Sequence, residues 1–215
     1  SYSLNKRITL SKLKNSIRKT KTSNKGVDPY FLHPMLLKHF CFNTLSICLH
    51  LFNTSLDVGF WPFDKTWVKL LRKPGKKNYN SPSAWRPISL TSHLGKVFER
   101  IIENRLRDCC NLHVEDEKYG FRPGVSTMHY INKLGDDISN LKNKNACVVT
   151  FYDLEKAFDS VNHTLLIRCL IDRQVGGRIV RLLYSFLQNR KVSIQVNETW
   201  GEWFSPSVGV PQGAV

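Results

Sequence analysis

Apolar residues recur at Leu10, Leu13 and Ile17 on a basic background, which predicts a short amphipathic helix over 9–20. The run 33–54 also reads as helix. Residues 67–90 read as a strand, a turn at Pro74-Gly75 with a basic loop, and an extended segment in which Pro87 biases Arg86 away from helix. A strong helix follows over 93–108. Leu94, Val97, Phe98, Ile101, Ile102 and Leu106 form its apolar face, with Thr91 or Ser92 as cap. "YGFRPGVST" (119–127) predicts a loop, then a helix to about residue 141. Residues 147–153 are apolar and β-branched and predict a strand, followed by helices over 163–171 and 177–189. "KVSIQVN" (191–197) alternates as a strand does, and 203–209 is expected to pair with it in a hairpin. The sum is an α+β fold, a mixed, mainly antiparallel sheet packed by helices.

The chain has 215 residues, 41% of them hydrophobic, enough for one sizeable core or two modest ones. Lys and Arg number 32 against 17 Asp and Glu, a net charge of +15. That excess attracts polyanions, nucleic acid or membrane surface, and charge alone does not choose between them. It is clustered. Residues 1–25 hold Lys6, Arg7, Lys12, Lys14, Arg18, Lys19, Lys21 and Lys25 with no acid, and from Lys65 to Arg107 only Glu99 and Glu103 oppose the bases. A single lysine usually marks a solvated face. Two clusters of this size point to phosphate neutralisation, with Lys12, Lys14, Arg18, Lys19, Lys76 and Lys77 as candidate contacts. The longest uncharged run, 40–56, is broken by Asn, Thr, Ser and His and reads as a packed helix, not a membrane span. Six cysteines form no C-x-x-C pair, and "CCNLH" (109–113) has no second pair at zinc spacing; a reduced, intracellular compartment is expected.

The stretch "CVVTFYDLEKAFDSVNH" (147–163) puts Asp153 at the end of its predicted strand. A buried carboxylate needs compensation, and a magnesium ion is one source. In phosphoryl transfer two such ions clamp the attacking and leaving oxygens. The other reading makes Asp153 the cap of the turn at 154–161. The residues alone leave both open.

Four motifs occur in order: "RPISL" (86–90), "YGFRPGVST" (119–127), "FYDLEKAFDSVNH" (151–163) and "VGVPQGAV" (208–215), preceded by "LLRKPGKK" (70–77). Together they resemble reverse transcriptases of non-LTR retrotransposons, closest to the jockey-like group, from about residue 6 onward. Lys118 stands where that family often has Gln. The resemblance implies a right-hand polymerase fold, with 1–145 as fingers and start of palm and 146–215 as palm core. It implies RNA-directed DNA synthesis, with an RNA template, a DNA primer, deoxynucleoside triphosphates and two magnesium ions, manganese being the alternative metal. Asp153 is implied as the catalytic metal carboxylate, with the Leu154 carbonyl in the same shell. Lys73 and Arg86 are implied as triphosphate clamps. Phe158 would lie beneath the incoming sugar, Gln212 and Gly213 near the nascent base pair, and Arg122 in a motif between fingers and palm that touches nucleic acid. Asp159 is implied to be structural.

An aromatic-x-Asp-Asp motif carrying the partner carboxylates would fall beyond Val215, so the chain alone is expected to be inactive and its parent active. No membrane partner is expected, and the parent would reside in the nucleus or in a cytoplasmic ribonucleoprotein. Two other readings remain: a nucleic-acid-binding remnant of a decayed element, and an intron-encoded maturase.

Overall fold

The computed structural model describes residues 4, 6–22, 26–109, 118–120, 122, 124–141, 147–197 and 199–214. In chain order the helices are α1 (Leu10–Arg18), α2 (Pro34–Lys38), α3 (Phe42–Val58), α4 (His93–Cys109), α5 (Thr127–Ser139), α6 (His163–Asp172) and α7 (Gly177–Gln188). The strands are β1 (Lys65–Arg72), β2 (Trp85–Leu90), β3 (Lys191–Val196) and β4 (Thr199–Trp200). The chain divides into two compact units, one formed by Ser1–Cys110 with Lys156–Val215, the other by Asn111–Glu155.

In the first unit, Thr9 caps α1 by accepting from the Lys12 amide, and Leu13, Ser16 and Ile17 turn inward. The predicted helix 33–54 is two helices. Pro34 opens α2, whose first turn is capped by His33, and the chain leaves helical geometry at His39 before Cys41 starts α3. α3 runs past residue 54 to Val58 because Gly59, at φ 77°, provides the left-handed exit. Ser92 accepts from the Gly95 amide and caps α4 as expected.

The sheet order is β2-β1-β3-β4. β1 and β2 run antiparallel, with Trp67 opposite Leu90 and Arg72 opposite Trp85. β1 and β3 run parallel, with Thr66 opposite Val192 and Val68 opposite Ile194. The sheet is mixed and mainly antiparallel, as the pattern predicted. The hairpin after β3 differs: it returns through β4, and the stretch 203–209 contributes only a bridge between Phe204 and Val192. Pro206 has no N–H to give a ladder, which keeps that stretch from pairing further.

Aromatic rings organise the core. Phe98 of α4 stacks on Phe52 of α3 at 4.4 Å and on Trp61 at 5.0 Å, and Trp61 meets Phe186 of α7 edge-on. Leu13, Leu37, Leu56, Ile179 and Leu182 close around them, all buried. Asp28, 1% exposed, ties residues 28–32 to the start of α4. Its Oδ1 accepts from the amides of Tyr30 (2.9 Å) and Leu32 (3.0 Å), and its Oδ2 from that of His93 (2.6 Å) at the start of α4. No helix among the described residues is long and apolar enough to cross a membrane.

The second unit contains α5, where the His129 ring accepts from the Ser126 amide and no residue is buried. The strand predicted over 147–153 is not there. Residues 147–154 have no assigned strand, and Val148, Phe151, Tyr152 and Leu154 are exposed. β-branched composition favours a strand only where a neighbour supplies the ladder, and none does so here among the described residues.

Candidate functional site

The β1–β2 hairpin positions Lys73 and Arg86. Lys73 donates its amide to Ala84 (2.9 Å), continuing the ladder one step past Arg72, and its carbonyl accepts from the Tyr79 hydroxyl (2.8 Å). The Trp85 indole donates to the Tyr79 carbonyl (2.9 Å), while the Arg72 guanidinium lies over both rings, 5.1 and 5.6 Å from their centres. These contacts close the basic loop. Its turn uses Pro74 and then Gly75 at φ 78°, a sign that favours glycine. Lys76 and Lys77 are exposed on it. Leu71 faces Arg86 and Lys73 faces Ala84, so strand alternation puts Lys73 and Arg86 on one face as diagonal neighbours. In a regular ladder such neighbours are about 7–8 Å apart.

Three sequence motifs meet in one place in the same unit. The Val210 amide donates to the Phe158 carbonyl (2.8 Å), that of Gly209 to Val161 (2.8 Å), and that of Ser89 to the Gln212 carbonyl (2.7 Å). The Gln212 side chain donates to Asp159 Oδ1 (3.2 Å). So Phe158, Gln212 and Gly213 are brought together, with Asp159 as a partner of Gln212. Gly213 (φ 124°) and Gly209 (φ 82°) permit this: a Cβ would lie 2.5 Å from the Ser89 carbonyl at the first and 2.8 Å from the Asp159 carbonyl at the second. The Gly209 carbonyl accepts from His163 Nε2 (2.7 Å) and Arg190 Nη2 (2.7 Å). His163 Nδ1 is paired with the Gln188 amide (3.2 Å), so Nε2 carries the proton. Burial lowers the Arg190 pKa from the ordinary guanidinium value.

Beneath this arch lies a pocket of about 230 Å³, lined among others by Val68, Ser89, Asp159, Arg190, Val192 and Gln212. Pro87 and Ser89 face it, whereas Arg86, one position out of phase, belongs to the other face of the sheet. The basic hairpin pair and the Gln212 cluster thus share β2 but not a pocket.

Asp153, Leu154 and Arg122 belong to the second unit. Asp153 and Leu154 are exposed, and Arg122 is half-buried in the loop before α5. Phe121 of that motif, Lys25 of the basic run and Cys110–His113 lie outside the described residues. Among the described residues Asp153 accepts no hydrogen bond, as cap or otherwise, and no three His, Cys, Asp or Glu side chains gather closely enough to hold a metal.

On α1, Lys12, Lys14, Arg18 and Lys19 are all exposed, opposite the buried face. Asp28, His163 and Arg190 were not legible as key residues. His163 closes a motif without any sign of its bond to Gly209, and Arg190 sits in an ordinary polar turn, "QNRK".

Residues 71–215 match the family described as reverse transcriptase (RNA-dependent DNA polymerase), well over half of the chain. An α+β domain whose family motifs lock to one another on a mixed sheet is in keeping with that match, and the chain belongs to the reverse transcriptase family. It is 34% identical over 172 residues to a probable RNA-directed DNA polymerase from transposon BS of Drosophila melanogaster, covering 77% of this chain and 18% of that protein. Over 215 residues it is 29% identical to the RNA-directed DNA polymerase from mobile element jockey of the same species, covering 97% of this chain and 23% of the relative. A type-1 retrotransposable element R2 polyprotein of Nasonia vitripennis is 26% identical over 175 residues, covering 80% of this chain and 17% of the relative. The chain spans about a fifth of the length of these relatives. The resemblance to jockey-like elements is borne out.

Proposed function

We propose that the chain forms the fingers (1–145, with the start of the palm) and the first part of the palm (146–215) of a right-hand RNA-directed DNA polymerase. The protein to which it belongs would add deoxynucleotides to a DNA primer on an RNA template. The observation that carries this reading is the mutual locking of Ser89, Phe158-Asp159 and Gln212-Gly213, three separate family motifs, at one end of the sheet.

In this reading Lys73 and Arg86, diagonal neighbours on one face, suit adjacent phosphates of the triphosphate, with Arg86 able to bind two oxygens at once. The Phe158 ring, about half exposed, offers an apolar floor to a deoxyribose and no partner to a 2′-hydroxyl. Gln212, held by Asp159, stands next to it and would touch the nascent base pair, with Gly213 letting the backbone close on β2. Arg122, Lys76 and Lys77 would contact the nucleic-acid backbone. Asp153 and the Leu154 carbonyl would serve a divalent ion, magnesium or manganese, only together with carboxylates outside the described residues. Such ions, when bound, stabilise charge on the reacting phosphate. The setting is the nucleus or a cytoplasmic ribonucleoprotein.

The test is primer extension on RNA by the full-length protein. Asp153→Asn should lower extension at least about 100-fold while RNA binding is kept. Extension near the wild-type rate would remove Asp153 from the chemistry, whereas RNA binding with no extension by the wild-type protein would leave a basic binding remnant as the better description.

A further inference from the structure

Among the first three helices lies a concave pocket of about 420 Å³, within the roughly 300–1,000 Å³ range of small-molecule sites. Its floor is apolar, made by the buried Ile17, Leu37 and Leu45. Phe40 and Phe42 flank the Cys41 cap and line it as well, and Phe42 keeps 67% of its surface exposed. Lys14, Arg18 and Lys38 complete the lining, which includes no carboxylate. None of the three cations is ion-paired among the described residues. Lys14 and Arg18, four apart on α1, point the same way. They also line a second concavity of about 450 Å³, which adds Lys12 and Asn15.

An aromatic ring left in water beside unpaired cations fits a ligand that is flat, apolar-faced and anionic along one edge. A nucleotide in a single strand has that form. In a duplex both base faces are already stacked, so a duplex offers phosphates but no free ring. We propose that this pocket receives an unstacked base of single-stranded nucleic acid, its ring against Phe42 and Phe40 and its flanking phosphates on Lys14, Arg18 and Lys38. The strand then continues along α1 past Lys12 and Asn15. This rests on reading α1 as a nucleic-acid surface, and it adds base contact and a preference for unpaired strands.

Binding of a labelled, unstructured uridine oligonucleotide to the full-length protein, by anisotropy at several salt concentrations, tests it. Single-stranded DNA of the same length and a blunt duplex are the comparison ligands. Phe42→Ala should weaken both single strands about 5- to 100-fold with an unchanged salt slope, and leave the duplex as it was. Phe42→Tyr should restore binding. Loss for RNA but not DNA would still support the base site and restrict it to ribose. Cys41 gives a local readout. It is exposed, the Thr44 hydroxyl lowers its pKa, and bound oligonucleotide should slow its alkylation relative to exposed Cys169. Unchanged affinity in a Phe42→Ala variant that melts like the wild type would overturn the proposal. So would equal losses for duplex and single strands, or displacement of the oligonucleotide by a Glu-rich peptide at equal charge concentration, which would mark a groove for an acidic protein segment. Primer extension is not read, so failure here leaves the polymerase reading standing, and an unchanged Asp153→Asn rate leaves this site standing.

Discussion

Gly209 shows how one residue can carry the geometry of several. Its φ of 82° suits glycine, its carbonyl takes two short hydrogen bonds, and a Cβ would meet the Asp159 carbonyl at 2.8 Å. Gly209→Ala should therefore destabilise the chain by about 2–4 kcal/mol, the left-handed strain and the backbone clash adding together. Gly177→Ala, with open space around it, is the control and should lie within about 0.5 kcal/mol of the wild type. Urea unfolding of both variants measures the difference. The resemblance marked Gly213 in "VGVPQGAV" as a residue near the nascent base pair. Its partner in the fold was not legible: it is Ser89, far away in sequence, and no local pattern names it. For the same reason nothing in the sequence marked Asp28 as the buried staple of α4. A side chain whose partners are distant amides leaves no periodic trace.

At the scale of elements, helices with one apolar face were readable because burial and periodicity coincide. α4 and α7 lie close to where the pattern put them. α2 and α3 were merged because a two-sided apolar run masks a short break. The sheet was less legible. β1, β2 and β3 alternate, but the parallel pairing of β1 with β3 is set by the packing of helices between them, and a strand over 147–153 did not form without a neighbour. α1 separates its roles by face, with Leu13 and Ile17 inside and Lys12, Lys14, Arg18 and Lys19 outside. Replacing those four bases by Gln should leave the melting temperature nearly unchanged and reduce the salt slope for single-stranded RNA by about 3, from roughly 0.7 per lost phosphate contact. A slope that stays the same would place the contacts on the β1–β2 loop instead.

At the scale of the whole molecule, the first unit is made from two separate stretches of chain, with the second unit strung between them. Charge does not decide that arrangement, since a net +15 bears on partners and solubility rather than fold. The family motifs were legible as an ordered series. Their convergence on one end of the sheet became visible only with the fold, because it requires residues 86–90, 158–163 and 208–213 to meet.

The parallel ladder from Lys65–Lys69 to Lys191–Gln195 also sets a schedule for synthesis. During translation β1 and β2 can join early, while the other edge of β1 waits for a strand made more than half a chain length later. An open edge recruits whatever strand is nearby, and lysines at 65 and 69 oppose such recruitment by keeping it charged. Nascent chains arrested before Lys191 should therefore expose β1 to protease, and protection should appear once Lys191–Val196 has left the ribosome. Lys65→Val with Lys69→Val should increase aggregation of the arrested chains far more than of the finished ones, where β3 already covers that edge.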